Sequence, residues 1–459
     1  MNHNPYEHAV VIGSSIAGLI TTAILTRHFD RVTVIERDRL PDAVELRKGV
    51  PQATQAHILL KRGQMIMEDL FPGMTDELIA AGAVPLNMGA DLRWFVGGWR
   101  PRFESSIEIL GVSRPLLETT IRQHLKANPK VMFMQDTRVI GLSSDPARSR
   151  ATGVKVEQRY MGELIVSADL VVDASGRATH APEWLKELGF VPPEKTQVNA
   201  HAGYSSRYYE MDNSLDWKAM YVQPTPAGGS RGGVLLPNDG NRWHVGLVGI
   251  AGDYPPSDDD AFLEWARGMA TPDFYEAIKN ARPLGAAVAY RTAENRMYHY
   301  DQLPRYLENF VAIGDSVFAF NPVYGQGMTV AAVSALDLDQ SLRVQRSLSD
   351  DLTGLAEHFQ KSLGATLAMP WQLATGEDMR WPGTEIEGYV PPPTPEMLEM
   401  GAYMDKVFAA AGRDPGVLEI FLKVQNMVES PAAFFQPDVM ALVMANSEAP
   451  APAPEPEFA

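Results

Sequence analysis

The stretch Ala9 to Asp38, AVVIGSSIAGLITTAILTRHFDRVTVIERD, carries residues suited to holding a phosphorylated cofactor. An apolar run, Ala9 to Ile12, stops at Gly13. Small residues follow, then a helix-period stretch from Ile16 to Arg27, then a second apolar run, Val32 to Ile35, that ends at Glu36. Strand, tight turn, helix and a strand closing on an acid is the order of a dinucleotide-binding unit. Gly13 allows the turn and Gly18 lets the helix pack close to the strand. The free N–H groups around Ser15, Ile16 and Ala17 face a pyrophosphate, with the helix dipole adding to the attraction. Glu36 lies roughly 20 residues past the first glycine, where a carboxylate accepts hydrogen bonds from a ribose 2′-OH. Arg37, beside it, is placed to stack on adenine. The middle glycine of the usual G-x-G-x-x-G is Ser15, whose Cβ crowds the approach to phosphate while its hydroxyl can donate. An ordinary βαβ unit with a small-residue turn is the alternative reading.

The elements that must position this turn belong to a chain of 459 residues, 45% hydrophobic, long enough for a large core and two or three domains. A net charge of −17 leaves no basic surplus for nucleic acid, and it disfavours an anionic membrane surface. No apolar run reaches the ~18 residues of a membrane span. The polar start MNHNPYEH does not read as a signal peptide. With no cysteine, disulfides, thiolate metal sites, Cys nucleophiles and Cys-linked flavin are excluded, and a soluble cytoplasmic protein is expected. The ten histidines show no metal-binding spacing, so no metal site is expected.

Two later segments return to the same framework. ADLVVDASGR (Ala168 to Arg177) is an apolar strand followed by an acid and small residues. ENFVAIGDSVFAFNPVYGQGM (Glu308 to Met328) has a strand, Phe310 to Ile313, then Gly314-Asp315, a Pro-Gly-rich turn and a helix from about Met328. Between Val198 and Ile250 the alternation is β-like and predicts an inserted antiparallel sheet. Tyr389 to Met397 (YVPPPTPEM) reads as an extended connector, Met397 to Asn446 as helical with a break at Pro431, and Ala449 to Ala459 as a disordered tail.

Together these segments resemble the FAD-dependent monooxygenases of the p-hydroxybenzoate hydroxylase fold. LRKGVPQATQAHILLKRG (Leu46 to Gly63), SRPLLETTIR (Ser113 to Arg122) and FNPVYGQGM are similar to flavin epoxidases of polyether biosynthesis and squalene-epoxidase-like enzymes. Where that family carries a pair of histidines, this chain has Gln55 and His57. Where the aromatic hydroxylases carry Asp-Gly, it has Asp173-Ala174, which puts direct NADPH handling in question. The resemblance implies an α/β fold with an α+β insert: a Rossmann-like FAD-binding domain (1–80, 113–190 and 301–345), an antiparallel β-sheet substrate domain (81–112 and 191–300), a helical C-terminal region (346–446) and a tail (447–459).

It also implies site roles. Asp315 would bond the ribityl hydroxyls. Pro322, Gly325, Gln326, Gly327 and Met328 would bring a helix start to the pyrimidine edge of the flavin, where the dipole stabilises the reduced anion. Arg47 and Arg114 would reach the ribityl or phosphate region. His57 would lie beside the flavin or be a satisfied helix-face histidine; both readings stay open. Trp94, Phe95, Trp99, Tyr204, Tyr208, Trp243, Phe320 and Tyr324 are candidates for an aromatic substrate chamber.

The implied reaction inserts one oxygen atom of O2 into a hydrophobic natural product through a flavin C4a-hydroperoxide, with the cofactor carrying the hard step and no certain catalytic side chain. Alkene epoxidation is favoured, with aromatic hydroxylation and prenyl double-bond reduction as alternatives. A non-catalytic flavin-binding partner is a further class. A halogenase is disfavoured, because the W-x-W-x-I-P signature is absent. Electrons would come from NAD(P)H or a separate flavin reductase.

Overall fold

The computed structural model describes residues 5–158 and 162–447; the predicted tail at 449–459 lies outside them. Along the chain the elements that build the site are β1 (His8–Ile12), α1 (Ile16–Leu25), β2 (Arg31–Ile35), β3 (Leu92–Phe95), α2 (Arg114–Ala127), β4 (Val131–Met134) and β5 (Leu170–Asp173). They continue with β6 (Gly203–Glu210), β7 (Ala219–Val222), β8 (Arg231–Asn238), β9 (Arg242–Gly249), β10 (Val288–Tyr290), β11 (Asn295–Tyr298) and β12 (Phe310–Ala312). Five helices close the set: α3 (Gly327–Leu348), α4 (Leu355–Asp378), α5 (Pro395–Ala410), α6 (Pro415–Gln425) and α7 (Pro437–Ser447).

The parallel sheet runs β12-β5-β1-β2-β4. Its centre, β1, is buried at every residue, as a strand covered on both faces must be. The register aligns Val11 with Val34 on one side and Val172 on the other. Helix α1 buries nine of its ten residues, and a Cβ on Gly18 would stand 2.0 Å from the Gly13 carbonyl oxygen. Glycine is therefore what permits the helix to lie against the turn. The mixed α/β architecture with an antiparallel insert and C-terminal helices is the one the sequence implies.

The insert is a six-stranded sheet, β10-β6-β9-β8-β7-β3. Strand parity gives it two different faces. Tyr209, Met220, Leu235, Trp243, Val245 and Leu247 pack outward against the helices Asp259–Arg267 and Asp273–Ile278. Tyr204, Ser206, Tyr221, Val234, Leu236 and Val248 face the opposite way, into a cavity. Helices α5 to α7 and the turn Pro431–Phe435 pack over this face: Val407, Val417, Leu418, Leu422, Phe434 and Val443 join Leu86, Trp94, Ile109 and Leu236 in one cluster. Among the described residues no helix is long and apolar enough to cross a membrane.

Candidate cofactor and substrate site

Two helix starts converge on one cavity of about 460 Å³. Ser15, Ile16 and Ala17, at the start of α1, line it, as do Gly327 and Met328, at the start of α3. The first bond of α1 runs from Leu19 N–H to the Ser15 carbonyl, so the N–H groups of the first turn have no helical partner. Asp315, Pro322, Tyr324 and Gly325 stand on the same wall. The Asp315 carboxylate has no protein hydrogen bond among the described residues, while its backbone carbonyl accepts from Arg296. Gly325 is in the left-handed region at φ 65°, and a Cβ there would meet Ile58 Cγ2 at 2.4 Å. Unclaimed N–H groups, a free carboxylate and a backbone approach open only to glycine fit an adenine dinucleotide with a ring system seated at α3.

Several expected contacts are placed differently. The Ser15 hydroxyl is taken up within the protein: it donates to Glu118 at 3.0 Å and accepts from Arg114 at 2.7 Å. Glu118, on α2, was not anticipated. Burial works against its charge, but Arg114 and Arg47 hold its carboxyl below the usual range. Arg114 lines the cavity as expected, with its Nε on Glu118 at 2.7 Å, and the exposed Arg37 also lines it. Arg47 does not line it: the guanidinium is buried against Glu118 at 2.9 Å, Glu36 at 3.2 Å and Asp38 at 3.5 Å. Glu36 also lies behind the wall, because its carboxylate accepts from the Ser14 N–H and hydroxyl and from the Asp38 N–H. Gly13, at φ 97°, Gly18 and the buried Gln326 are likewise behind the lining.

Of the eight candidate chamber aromatics, Trp94, Tyr204 and Tyr324 line the cavity. Five do not. Trp243 is fully buried on the outer face, stacked on Trp217 at 5.5 Å, because odd positions of β9 point away from the cavity. Phe95 follows Trp94 on β3 and so turns to the outer face, where it meets Trp99 edge-on at 5.2 Å. Tyr208 shares the face of Tyr204 but sits at the end of the sheet, under His244 at 4.1 Å and the Arg242 guanidinium. Phe320 packs into the core between Phe318 and Trp371.

Other residues of the site carried no local signal in the sequence. Tyr221, Leu236, Met88 and Leu92 complete the apolar half of the cavity. Arg177, on the wall, donates to the Phe320 carbonyl at 2.7 Å and pairs with Glu294 at 2.9 Å, fixing the start of the Asn321–Met328 loop. Asp173, the acid of the Asp173-Ala174 pair, is buried and accepts from the Ser175 N–H and the Thr179 hydroxyl. Asp378, the last residue of α4, lies under Tyr324.

The fold is shared with solved flavin-dependent enzymes. It belongs to the same family as Protein Rv3254 of Mycobacterium tuberculosis, with which it is 30% identical over 444 residues, covering 93% of this chain and 91% of that protein. It is 28% identical over 365 residues to a kynurenine 3-monooxygenase of Salinispora arenicola, covering 73% of this chain and 72% of that one. Its fold is similar to that of the flavin-dependent brominase Bmp2 (TM-score 0.63, 15% identity, 95% of this chain and 98% of the other). No family model matches the chain.

Proposed function

We propose that this enzyme binds FAD in the cavity described above and inserts one oxygen atom of O2 into a hydrophobic natural product held against the six-stranded sheet. One observation carries the reading: the two helix starts and the unpaired Asp315 meet on a cavity that continues without a break into an apolar, aromatic chamber. When bound, the reduced flavin supplies the activated oxygen. The protein's part is positional. The first turn of α1 receives the diphosphate, Asp315 the ribityl hydroxyls, and Gly325 to Met328 the pyrimidine edge, where the α3 dipole favours the reduced anion. Trp94, Tyr221, Leu236 and Met88 exclude water and orient the reacting carbon.

Alkene epoxidation follows from the GVPQ resemblance. Hydroxylation of an aromatic ring is the second reading, supported by the flat faces of Trp94 and Tyr221 and by the aromatic substrate in the name of the Salinispora relative. Among the described residues no lysine lines the cavity, which weighs against halogenation. Electrons come from NAD(P)H or from a separate flavin reductase.

The test is a stopped-flow mix of photoreduced, FAD-loaded protein with O2. A transient absorbing unlike either reduced or oxidised flavin is expected. Slow, featureless reoxidation, with or without aromatic and alkene ligands, would favour a reductase or a non-catalytic flavin protein instead.

A further inference from the structure

The segment Gln55 to Ile58 is wedged between the two halves of the site. A Cβ on Gly325, in the loop before α3, would strike Ile58, and one on Gly246, in β9, would touch Ala56 at 3.2 Å. Gln55, which replaces one of the family's histidines, is a strut. Its Oε1 accepts from the Ser206 hydroxyl at 2.9 Å and its Nε2 donates to the Val288 carbonyl at 3.0 Å. These contacts fix the backbone that carries His57, and the ring of His57 lines the cavity.

The tautomer of that ring follows from its one hydrogen bond. His57 Nδ1 lies 2.9 Å from the Gln55 carbonyl oxygen. A carbonyl only accepts, so Nδ1 carries the proton, and Nε2 of the neutral ring is left as a lone-pair acceptor. Burial and the Arg114 charge keep the ring neutral, pushing its pKa down to about 4; Glu118, on the same helix as Arg114, works weakly the other way. On the sheet side, His244 adds no stable charge, because burial holds it neutral too. Nε2 has no protein partner among the described residues. Three hydroxyls on the same wall are already engaged: Tyr204 on Asn321, Tyr324 on Asp378 and Ser206 on Gln55.

We propose that His57 Nε2 accepts a hydrogen bond from an O–H or N–H of the substrate, so that the chamber selects a molecule bearing a hydroxyl or amino group over a plain hydrocarbon of the same shape. The inference rests on reading the apolar half of the cavity as the substrate chamber. A buried acceptor offered no donor loses its exchange with water and gains nothing in return, so a ligand that supplies the donor is discriminated from one that does not. The Tyr221 hydroxyl, also without a protein partner and on the same wall, can serve as a second point of contact.

The experiment compares 2-naphthol with 2-methoxynaphthalene on FAD-loaded protein, by quenching of tryptophan fluorescence and perturbation of the flavin spectrum. Wild type is expected to prefer 2-naphthol by about tenfold or more. H57F, with an apolar ring of similar size, is expected to lose the preference, and H57Q, which restores an acceptor, to recover part of it. A preference that persists in H57F overturns the proposal, as does failure of both probes to bind wild type. If H57F releases FAD while its naphthol preference stands, His57 serves the cofactor and the proposal falls. A wild-type protein that takes up no FAD sinks the monooxygenase reading instead, and the fluorescence titration of that same protein still decides between the two naphthalenes.

Discussion

The Tyr324 hydroxyl donates to an Asp378 carboxylate oxygen at 2.6 Å, tying the turn before α3 to the last residue of α4. Asp378 is fully buried, and it accepts further bonds from Asn295 at 2.7 Å and from Asn321, whose Nδ2 lies 3.2 Å from each oxygen. Asn321 in turn accepts from Tyr204 and donates its N–H to Asn295. Two aromatic residues of the cavity wall are thus held by one carboxylate that has no cation among the described residues. Three donors satisfy its oxygens but do not cancel its charge, so burial pushes its pKa up to about 6.

That shift gives Asp378 a signed effect on stability. Its folded pKa is above the unfolded value of 3.8, so between the two the folded state holds the extra proton. Its contribution is favourable at low pH and is lost as pH rises toward 6. In D378N the titration is gone and the hydrogen-bonding shape is kept. The stability of wild type relative to D378N is expected to fall by about 2–3 kcal/mol between pH 4 and pH 7. Urea unfolding of both proteins at the two pH values measures this; an unchanged difference would remove the uncompensated charge from the account.

His57 and His244 act in the opposite direction. Burial lowers His57 to about 4 and His244 to about 3, with His244 Nε2 facing the Thr54 carbonyl at 3.1 Å. Below 6.5 the unfolded chain takes up protons that the folded chain refuses. Their contribution is therefore complete above pH 6.5 and is lost as pH falls toward 4. At its steepest the pair adds a slope of about 2.7 kcal/mol per pH unit. H244F keeps the stack on Tyr208 and removes one titrating group, so it is expected to halve that part of the slope. Unfolding free energies at several pH values down the acid limb provide the comparison; equal slopes would show that His244 is charged in the folded protein.

What was legible in the sequence and what was not divide along physical lines. The β1-α1-β2 crossover was readable because its strands, turn and helix are local and their periods differ. The start of α3 was readable for the same reason. The face of each sheet strand was not. β9 is buried at seven of its eight positions, so no polar alternation marks which side of Trp243 meets the cavity. Glu118 and Asp378 were invisible because their partners are distant: Asp378 reaches Tyr324 across 54 residues, and Glu118 reaches Ser15 across 103. Arg47 and Glu36 were expected to reach the cofactor and instead pair with each other, because a sequence does not say whether such groups meet each other or a ligand.

Gly325 offers a test of the cofactor end. Alanine there must hold φ near 65° and displace Ile58, whereas alanine at Gly401, on α5 and outside the cavity lining, meets nothing within 4 Å and needs no left-handed backbone. The left-handed conformation alone costs about 1–2 kcal/mol for a residue with a Cβ. G325A is expected to weaken FAD binding by about tenfold or more, while G401A stays within a few-fold of wild type. Titration of FAD into the stripped proteins gives the affinities, and a melting curve for each separates lost binding from lost fold. If both variants bind alike, the turn before α3 does not approach the cofactor.

Trp94 and Trp243 separate the two faces of the six-stranded sheet. Trp243 stacks on Trp217 with an interplanar angle of 7° and donates Nε1–H to the Lys218 carbonyl, far from any ligand-facing atom. W243A should therefore destabilise the protein by about 3–5 kcal/mol and leave its affinity for 2-naphthol unchanged. Trp94 belongs both to the cluster under α5 and α6 and to the cavity wall, where it stacks near Tyr221 at 6.2 Å. W94F keeps an apolar ring in the cluster but shortens the wall, and it is expected to shift naphthol affinity by several-fold with a stability loss of about 1–2 kcal/mol. Denaturant unfolding and fluorescence titration on the same two variants read both quantities. A W243A protein that remains folded but binds naphthol poorly would mean that the strand parity assigned to β9 is wrong and that the chamber lies on the other side of the sheet.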